Sequence, residues 1–252
     1  MNDVTERSVR KVIESMHENL SEVLTLDDMA RTAMFSKFHF SRMFQRVTGL
    51  SPARFLSAVR LERAKHLLVT TSLSVTQISH QVGYASVGTF STRFSTSVGM
   101  SPSLYRQRRG QAGQLASRPR TERDRDHAPA VCGRVELPAG AAANGAVFIG
   151  LFPERLPQGQ PVRCAALPGP GRYTLAAVPP GSWYVLGYRA PTPDARRPLV
   201  AARGPVIVAA GGPDHHVDLP LRPMSDLDPP MLLALPDGSA PLTGARRTEP
   251  TP

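Results

Sequence analysis

Ten side chains, in two sets offset by fifty residues, have the types and spacing of a recognition surface. The first set is Lys37, Phe38, Ser41, Arg42 and Gln45, within "KFHFSRMFQ", and the second is Val87, Thr89, Ser91, Thr92 and Arg93, within "VGTFSTRFS". A guanidinium offers two parallel donors to a planar pair of acceptors, hydroxyls and amides serve single edges, and an ammonium meets anionic oxygens. The second set has lost reach, because Thr92 stands where the first has Arg42 and Arg93 lies one residue on, about 100° around a helix. Cys132, Cys164, His215 and His216 are metal-ligating types. Adjacent histidines on a strand point to opposite faces, however, and both cysteines lie in apolar runs that read as buried thiols. Gly-x-Ser-x-Gly, His-Glu-x-x-His and phosphate-loop motifs are missing from the sequence, so no catalytic residue, metal or cofactor is expected.

The recognition residues need elements to hold them, and the first 110 residues supply a repeat. "FSRMFQRVTGLSP" from Phe40 matches "FSTRFSTSVGMSP" from Phe90, pairing the phenylalanines and each Gly-x-Ser-Pro. Helical spacing in "SVRKVIESMHENLSEV" predicts a first helix. Thr25 with Asp28 predicts the start of a short helix from Leu26 to about Ala33. Ser36 caps a second helix that runs to about Val47, before Gly49. Ser51-Pro52 opens a long helix to about Val69, proline being harmless at the first helical position. The plan then recurs: Ser74 with Gln77, a turn at Gly83-Tyr84-Ala85, a helix capped by Ser86, Gly99, and a last short helix from Ser101-Pro102. The offset is 50 from Ser36 onward but 49 in the preceding helix, which puts one extra residue in the second turn. Each short helix, turn and second helix forms a helix-turn-helix at about 25–48 and 74–98. Phe40, Phe44, Phe90 and Phe94 read as core.

The residues "LTLDDMARTAMFSKFHFSRMFQRVTGLSP", "RLERAKHLL" and "SVTQISHQVGYASVGTFSTRFSTSVGMSPSLYR" together resemble the DNA-binding domain of the AraC family of bacterial transcription regulators. The resemblance covers residues 6 to about 109. It implies two recognition helices set into successive major grooves of double-stranded DNA, about 34 Å apart. The linking helix from Ser51 to about Val69 fixes that separation. On this reading Arg42 contacts a guanine edge and Ser41 an edge or phosphate. Phe38 packs on a thymine methyl, and Lys37 and Gln45 hold the backbone. Val87 and Gly88 replace longer polar residues and Thr92 replaces an arginine, so the first unit is expected to specify sequence. The second, through Val87, Thr89, Ser91, Thr92 and Arg93, mostly grips and meets methyl groups.

Charge and composition agree with this division. Residues 1–110 hold 15 Lys+Arg against 8 Asp+Glu, whereas residues 131–252 hold 11 against 9. A basic helical segment suits a polyanion, since each neutralised phosphate releases counterions. Only two of the 25 prolines precede residue 111, and seven of the nine phenylalanines do. The expected organisation is multidomain: an all-α double helix-turn-helix domain (1–109), a flexible linker (110–130), a small all-β sandwich (131–223) and a Pro-rich, largely disordered tail (224–252).

Seven strand candidates support the sandwich: "VCGRVEL", "AVFIGLF", "VRCAALP", "RYTLAAV", "SWYVLGYRA", "PVIVAA" and "HHVDLPL". "GRYTLAAVPPGSWYVLGY" resembles the prealbumin-like sandwiches of carboxypeptidase regulatory domains. Alternation puts Trp183 and Tyr184 on opposite faces, and with Tyr188 and Arg189 they read as core or as a binding face. "PPMLLAL" is expected to add an edge strand. This half has three candidate partners: a small-molecule effector, RNA polymerase, or a second copy in a homodimer. No apolar run reaches the length of a membrane span and two cysteines make no disulfide framework, so a cytoplasmic location is expected. The alternative function is an architectural DNA-binding protein whose sandwich mediates assembly without a ligand switch.

Overall fold

The computed structural model describes residues 2–112, 128–192 and 197–235, and the chain divides into two compact units. Most of the expected linker (113–127) and the terminal stretch 236–252 lie outside the described residues.

The first unit holds α1 (Asn2–Glu18), α2 (Leu26–Thr32), α3 (Lys37–Thr48), α4 (Pro52–Thr70), α5 (Val75–Gln81), α6 (Val87–Val98) and α7 (Pro102–Gln107). α1 buries Val9, Val12, Ile13 and Met16 along one stripe. It ends sooner than the spacing predicts: a turn closes from the Glu22 amide to the Asn19 carbonyl, which sends Leu20 inward and leaves Val23 exposed. Both short helices begin with the expected reciprocal box. Thr25 Oγ1 accepts from the Asp28 amide while Asp28 accepts from the Thr25 amide, and Ser74 and Gln77 repeat the pattern. Ser51 differs from expectation, since it supplies the extended backbone before Pro52 but makes no side-chain cap bond; Ser101 does cap, accepting from the Leu104 amide.

The internal repeat is visible in three dimensions. α2 and α5 are offset by 49 residues and α3 and α6 by 50. Both turns use a left-handed residue at the same place, Met34 (φ 58°) and Gly83 (φ 82°). The next amide, of Phe35 or Tyr84, then reaches back to Ala30 or Ser79. The extra residue is therefore Ala85, between that turn and the cap Ser86. The cores repeat as well. Phe44 packs edge-on to Phe55 at 5.4 Å between ring centroids, and Phe94 packs the same way on Tyr105, fifty residues later, at 5.5 Å. Phe40 and Phe90 complete each cluster, so the four phenylalanines expected as core are core.

Two segments from far along the chain belong to this helical unit, Arg155–Gly159 and Ser225–Leu235. Leu156, Leu232 and Ala234 are buried in its apolar core. The last carbonyls of α6, orphaned as at any helix end, are taken by these segments: Ser97 O accepts from the Gly159 amide and Val98 O from the Ala234 amide. Lys65 Nζ donates to Met231 O at 2.6 Å and to Leu233 O at 3.3 Å. The stretch expected as an edge strand of a sandwich thus packs on helices instead. Four consecutive apolar residues, Met231–Ala234, find a buried place there, and Val98 of α6, Pro157 and Lys65 supply partners for their backbone.

The second unit comprises β1 (Val131–Glu136), β2 (Val147–Phe152), β3 (Arg163–Leu167), β4 (Gly171–Leu175), β5 (Gly181–Arg189), β6 (Leu199–Val208), β7 (His215–His216), β8 (Leu219–Pro220) and β9 (Arg222–Pro223). One sheet runs β4-β1-β7, with β8 also on β1, and the other runs β3-β2-β5-β6-β9. Val131, Val135, Tyr173 and Leu175 of the first meet Val147, Ile149, Leu151 and Val185 of the second in a single apolar cluster. The sixth strand starts earlier than its sequence run, at Leu199, and the seventh run breaks into short pieces.

Several side-chain expectations change here. The pairing of β5 with β6 slips between Trp183 and Val185, so simple alternation fails at Trp183 and Tyr184, which are both half-buried. Arg189 lines no exposed face; it is buried, and its guanidinium donates to the carbonyls of Ala142 and Asn144. Cys132 and Cys164 are half-exposed rather than buried and lie in different sheets. His216 faces Asp218 at 3.2 Å, while His215 is the less exposed of the pair.

Candidate nucleic-acid interface

The surface that could read an extended ligand is built on α3 and α6, because the aromatic core fixes one side of each and leaves the other bare. In α3, Phe40, Met43 and Phe44 point inward. Lys37, Phe38, Arg42 and Gln45 are exposed and Ser41 is half-buried. Phe38 is 80% exposed, a fully presented ring on a helix whose other phenylalanines are buried. In α6, Phe90 and Phe94 point inward; Val87, Thr89, Thr92 and Arg93 are exposed and Ser91 is half-buried, like its counterpart Ser41. All ten residues of the two sets therefore reach the surface to some degree, each set on one helix.

The two helices are not equivalent electrically or sterically. α3 carries Lys37, Arg42 and Arg46, whereas α6 carries Arg93 alone. Position by position, Phe38 matches Gly88, Arg42 matches Thr92 and Gln45 matches Ser95. The one arginine of α6 matches Met43, which is buried in α3. Lys37 is already engaged, its Nζ 2.7 Å from Asp27 Oδ2 in a half-exposed pair. At the start of α2, the hydroxyl and amide of Thr25, and then Arg31, hold the Asp28 carboxyl below the usual carboxylate range.

Positioning comes from behind. α4, 19 residues and roughly 28 Å long, buries Phe55, Leu56, Val59 and Leu68. It anchors the second helix-turn-helix through Ser57, whose Oγ is 3.4 Å from Tyr84 Oη. Arg106 of α7 donates to Leu68 O and Leu73 O, closing the end of α4 onto the approach to α5. Arg60 donates to Glu22 O beside the Gly83 turn.

Three surface residues next to this set went unmarked in the sequence reading. Arg46 is exposed one helical turn beyond Arg42, a spacing of i,i+4 that the sequence does carry. His39 is exposed and stacks on Phe35 at 4.9 Å. Met34, in the first turn, is 84% exposed, and nothing in its residue type signals its left-handed backbone.

Two helix-turn-helix units thus share one scaffold. The family model "Helix-turn-helix domain" matches residues 29–108. The transcriptional activator AarP of Providencia stuartii is 32% identical over 98 residues, which span 39% of this chain and 73% of that protein. The lactose operon transcription activator of Staphylococcus xylosus is 29% identical over 104 residues, 41% of this chain and 37% of that activator's length. An AraC-type regulator structure from Chromobacterium violaceum is 30% identical, covering 43% of this chain and 96% of that one, with a TM-score of 0.41. The chain belongs to the AraC family of DNA-binding transcription regulators. These relatives are named as activators and regulators, which lends no support to the architectural alternative. Among the described residues no helix is long and apolar enough to cross a membrane.

Proposed function

We propose that this chain is a sequence-specific transcription regulator that sets α3 and α6 into successive major grooves and reads bases mainly with α3. The observation that carries this reading is the inequality of two helices on one repeat. At matching positions α3 offers the exposed Phe38, Arg42 and Gln45 where α6 offers the exposed Gly88 and Thr92 and the half-buried Ser95. A guanidinium at Arg42 supplies a bidentate guanine contact, and Phe38 supplies an apolar surface for a thymine methyl. Ser41 serves an edge or phosphate, while Lys37 and Gln45 position the backbone. Val87, Thr89, Ser91, Thr92 and Arg93 then form a gripping surface with little base discrimination.

The β-rich unit, a sandwich-like module over 131–223, is proposed as the effector or interaction part. Its candidate partners are a small molecule, RNA polymerase or a second copy of the chain. A metabolite that shifts its melting without altering oligomeric state would identify an effector site, and a site doubled in length would identify a dimer.

The test is selection of bound duplexes from a randomised pool at near-physiological salt with the full chain. The expected product is a two-part site, one half strong and one degenerate, about one helical turn apart. Arg42→Ala should cost about 1–3 kcal/mol of discrimination at one base pair of the strong half, and Thr92→Ala should leave the selected sequence unchanged. Equal loss of specificity from both substitutions overturns the asymmetric readout. Failure to enrich any sequence overturns the regulator reading.

A further inference from the structure

We infer that Gly88 is where duplex DNA comes closest to the second reading helix, and that its missing side chain sets how deeply α6 seats in the groove. This rests on the DNA-reading role proposed above and adds a residue that positions the complex.

The helical unit contains other glycines whose presence the fold explains. Gly49, Gly83 and Gly99 end helices or turns with φ of 80°, 82° and 90°, a region that other residues enter at a cost. Gly88 differs from them. It lies in the first turn of α6 and is not among the positive-φ glycines. Among the described residues its surroundings are open: a Cβ built there meets only Ser86 Oγ, at 3.6 Å, an ordinary contact. Neither backbone conformation nor packing asks for glycine, and glycine is among the poorest helix formers. The remaining physical use of a missing side chain is close approach of a ligand to the backbone.

The location says which ligand. Gly88 is exposed and lies four residues before Thr92 on the same helix face. By the repeat it occupies the place that Phe38 occupies in α3. One reading helix therefore presents a whole phenyl ring at this position and the other presents bare backbone. α3 meets the duplex through a projecting ring and a guanidinium; α6 meets it at main-chain distance, with Val87 and Thr92 on either side of the contact.

The experiment uses the full chain and a duplex that it has itself enriched from a randomised pool. Affinity for that duplex, and the thermal midpoint without DNA, are measured for the unaltered chain, Gly88→Ala and Gly88→Leu. The expected result is a midpoint that is unchanged or raised in Gly88→Ala, with affinity lowered at least about fivefold and lowered further in Gly88→Leu. Affinity within about twofold for Gly88→Ala overturns the inference. So does a loss accompanied by a fallen midpoint, because that would mark a structural role. If the unaltered chain enriches no duplex, the regulator reading itself fails, an outcome distinct from enrichment followed by indifference to the substitution.

Discussion

Asp27 sets the electrostatic balance at the margin of α3, because its carboxylate holds Lys37 Nζ at 2.7 Å. On the proposed reading, DNA competes for that ammonium and is repelled by the acid. Asp27→Asn should therefore tighten binding to a selected duplex about two- to fivefold at low salt. It should also steepen the dependence of log affinity on log salt by about 0.9, the increment for one added phosphate contact. A salt titration of both proteins measures this, and an unchanged slope would mean that Lys37 does not reach the duplex. The turns offer a second contrast. Met34 and Gly83 share a left-handed backbone, but a Cβ at Gly83 would fall 2.2 Å from Leu20 O, whereas Met34 is exposed. Met34→Gly should stabilise the unit by about 0.5–1 kcal/mol and Gly83→Ala should destabilise it by at least about 1–2 kcal/mol, read from denaturation midpoints. The sequence marked Gly83 as a turn because glycine announces such a site. It could not mark Met34, whose conformation is imposed by the helices on either side.

At the scale of elements, the two capping boxes should part company in acid. The box before α2 uses the carboxylate of Asp28, while the one before α5 uses the neutral amide of Gln77. Because the folded state holds the Asp28 carboxyl below its ordinary range, its contribution is fully present above the unfolded carboxylate pKa. That contribution is lost as pH falls through the lower, folded value. Amide protection at Asp28 should fall across that acid window while protection at Gln77 holds, and equal behaviour would contradict the assignment. Helices of this unit were legible because capping pairs, Gly-x-Ser-Pro and the phenylalanine spacing all point the same way and occur twice. The strands were legible as runs but not in extent. β6 begins at Leu199, six residues before the Pro205-led run that suggested it, and the slip at Trp183 arises in the pairing with β6, a contact that no local pattern encodes. The exposure of the proposed reading set on its two helices was legible from the spacing of the core phenylalanines. Gln45 and Arg42 stand out by type, but Lys37's engagement with Asp27 depends on how the turn brings α2 beside α3.

Across the whole chain, the helical unit depends on residues that the sequence placed elsewhere. "PPMLLAL" has the length and apolar content of a strand, and periodicity cannot separate a short strand from an apolar plug. What decides is the set of partners waiting at α6 and α4, namely orphan carbonyls and Lys65. Leu232→Ala should destabilise the helical unit by about 2–5 kcal/mol, read as a lowered midpoint, although Leu232 lies outside the matched region. Lys65 adds a pH signature. Burial of its ammonium, opposed by Glu62, lowers its pKa from 10.5 to about 8. The folded form therefore sheds the proton first, and stability should rise as pH climbs from about 8 to 10.5. Lys65→Met should flatten that slope, and an identical slope in the variant would refute the assignment.

The late arrival of Leu232 and Ala234 also orders events on the ribosome. Nascent domains generally close from the N-terminus as they emerge, yet this one lacks part of its interior until residue 235 has been made. At roughly 5–20 residues per second, the helices wait on the order of ten seconds with an oily gap between α4 and the end of α6. A message broken in that interval would release helices with that gap unfilled, so the cell gains a regulator at full stability only once translation has passed well beyond the part that reads DNA.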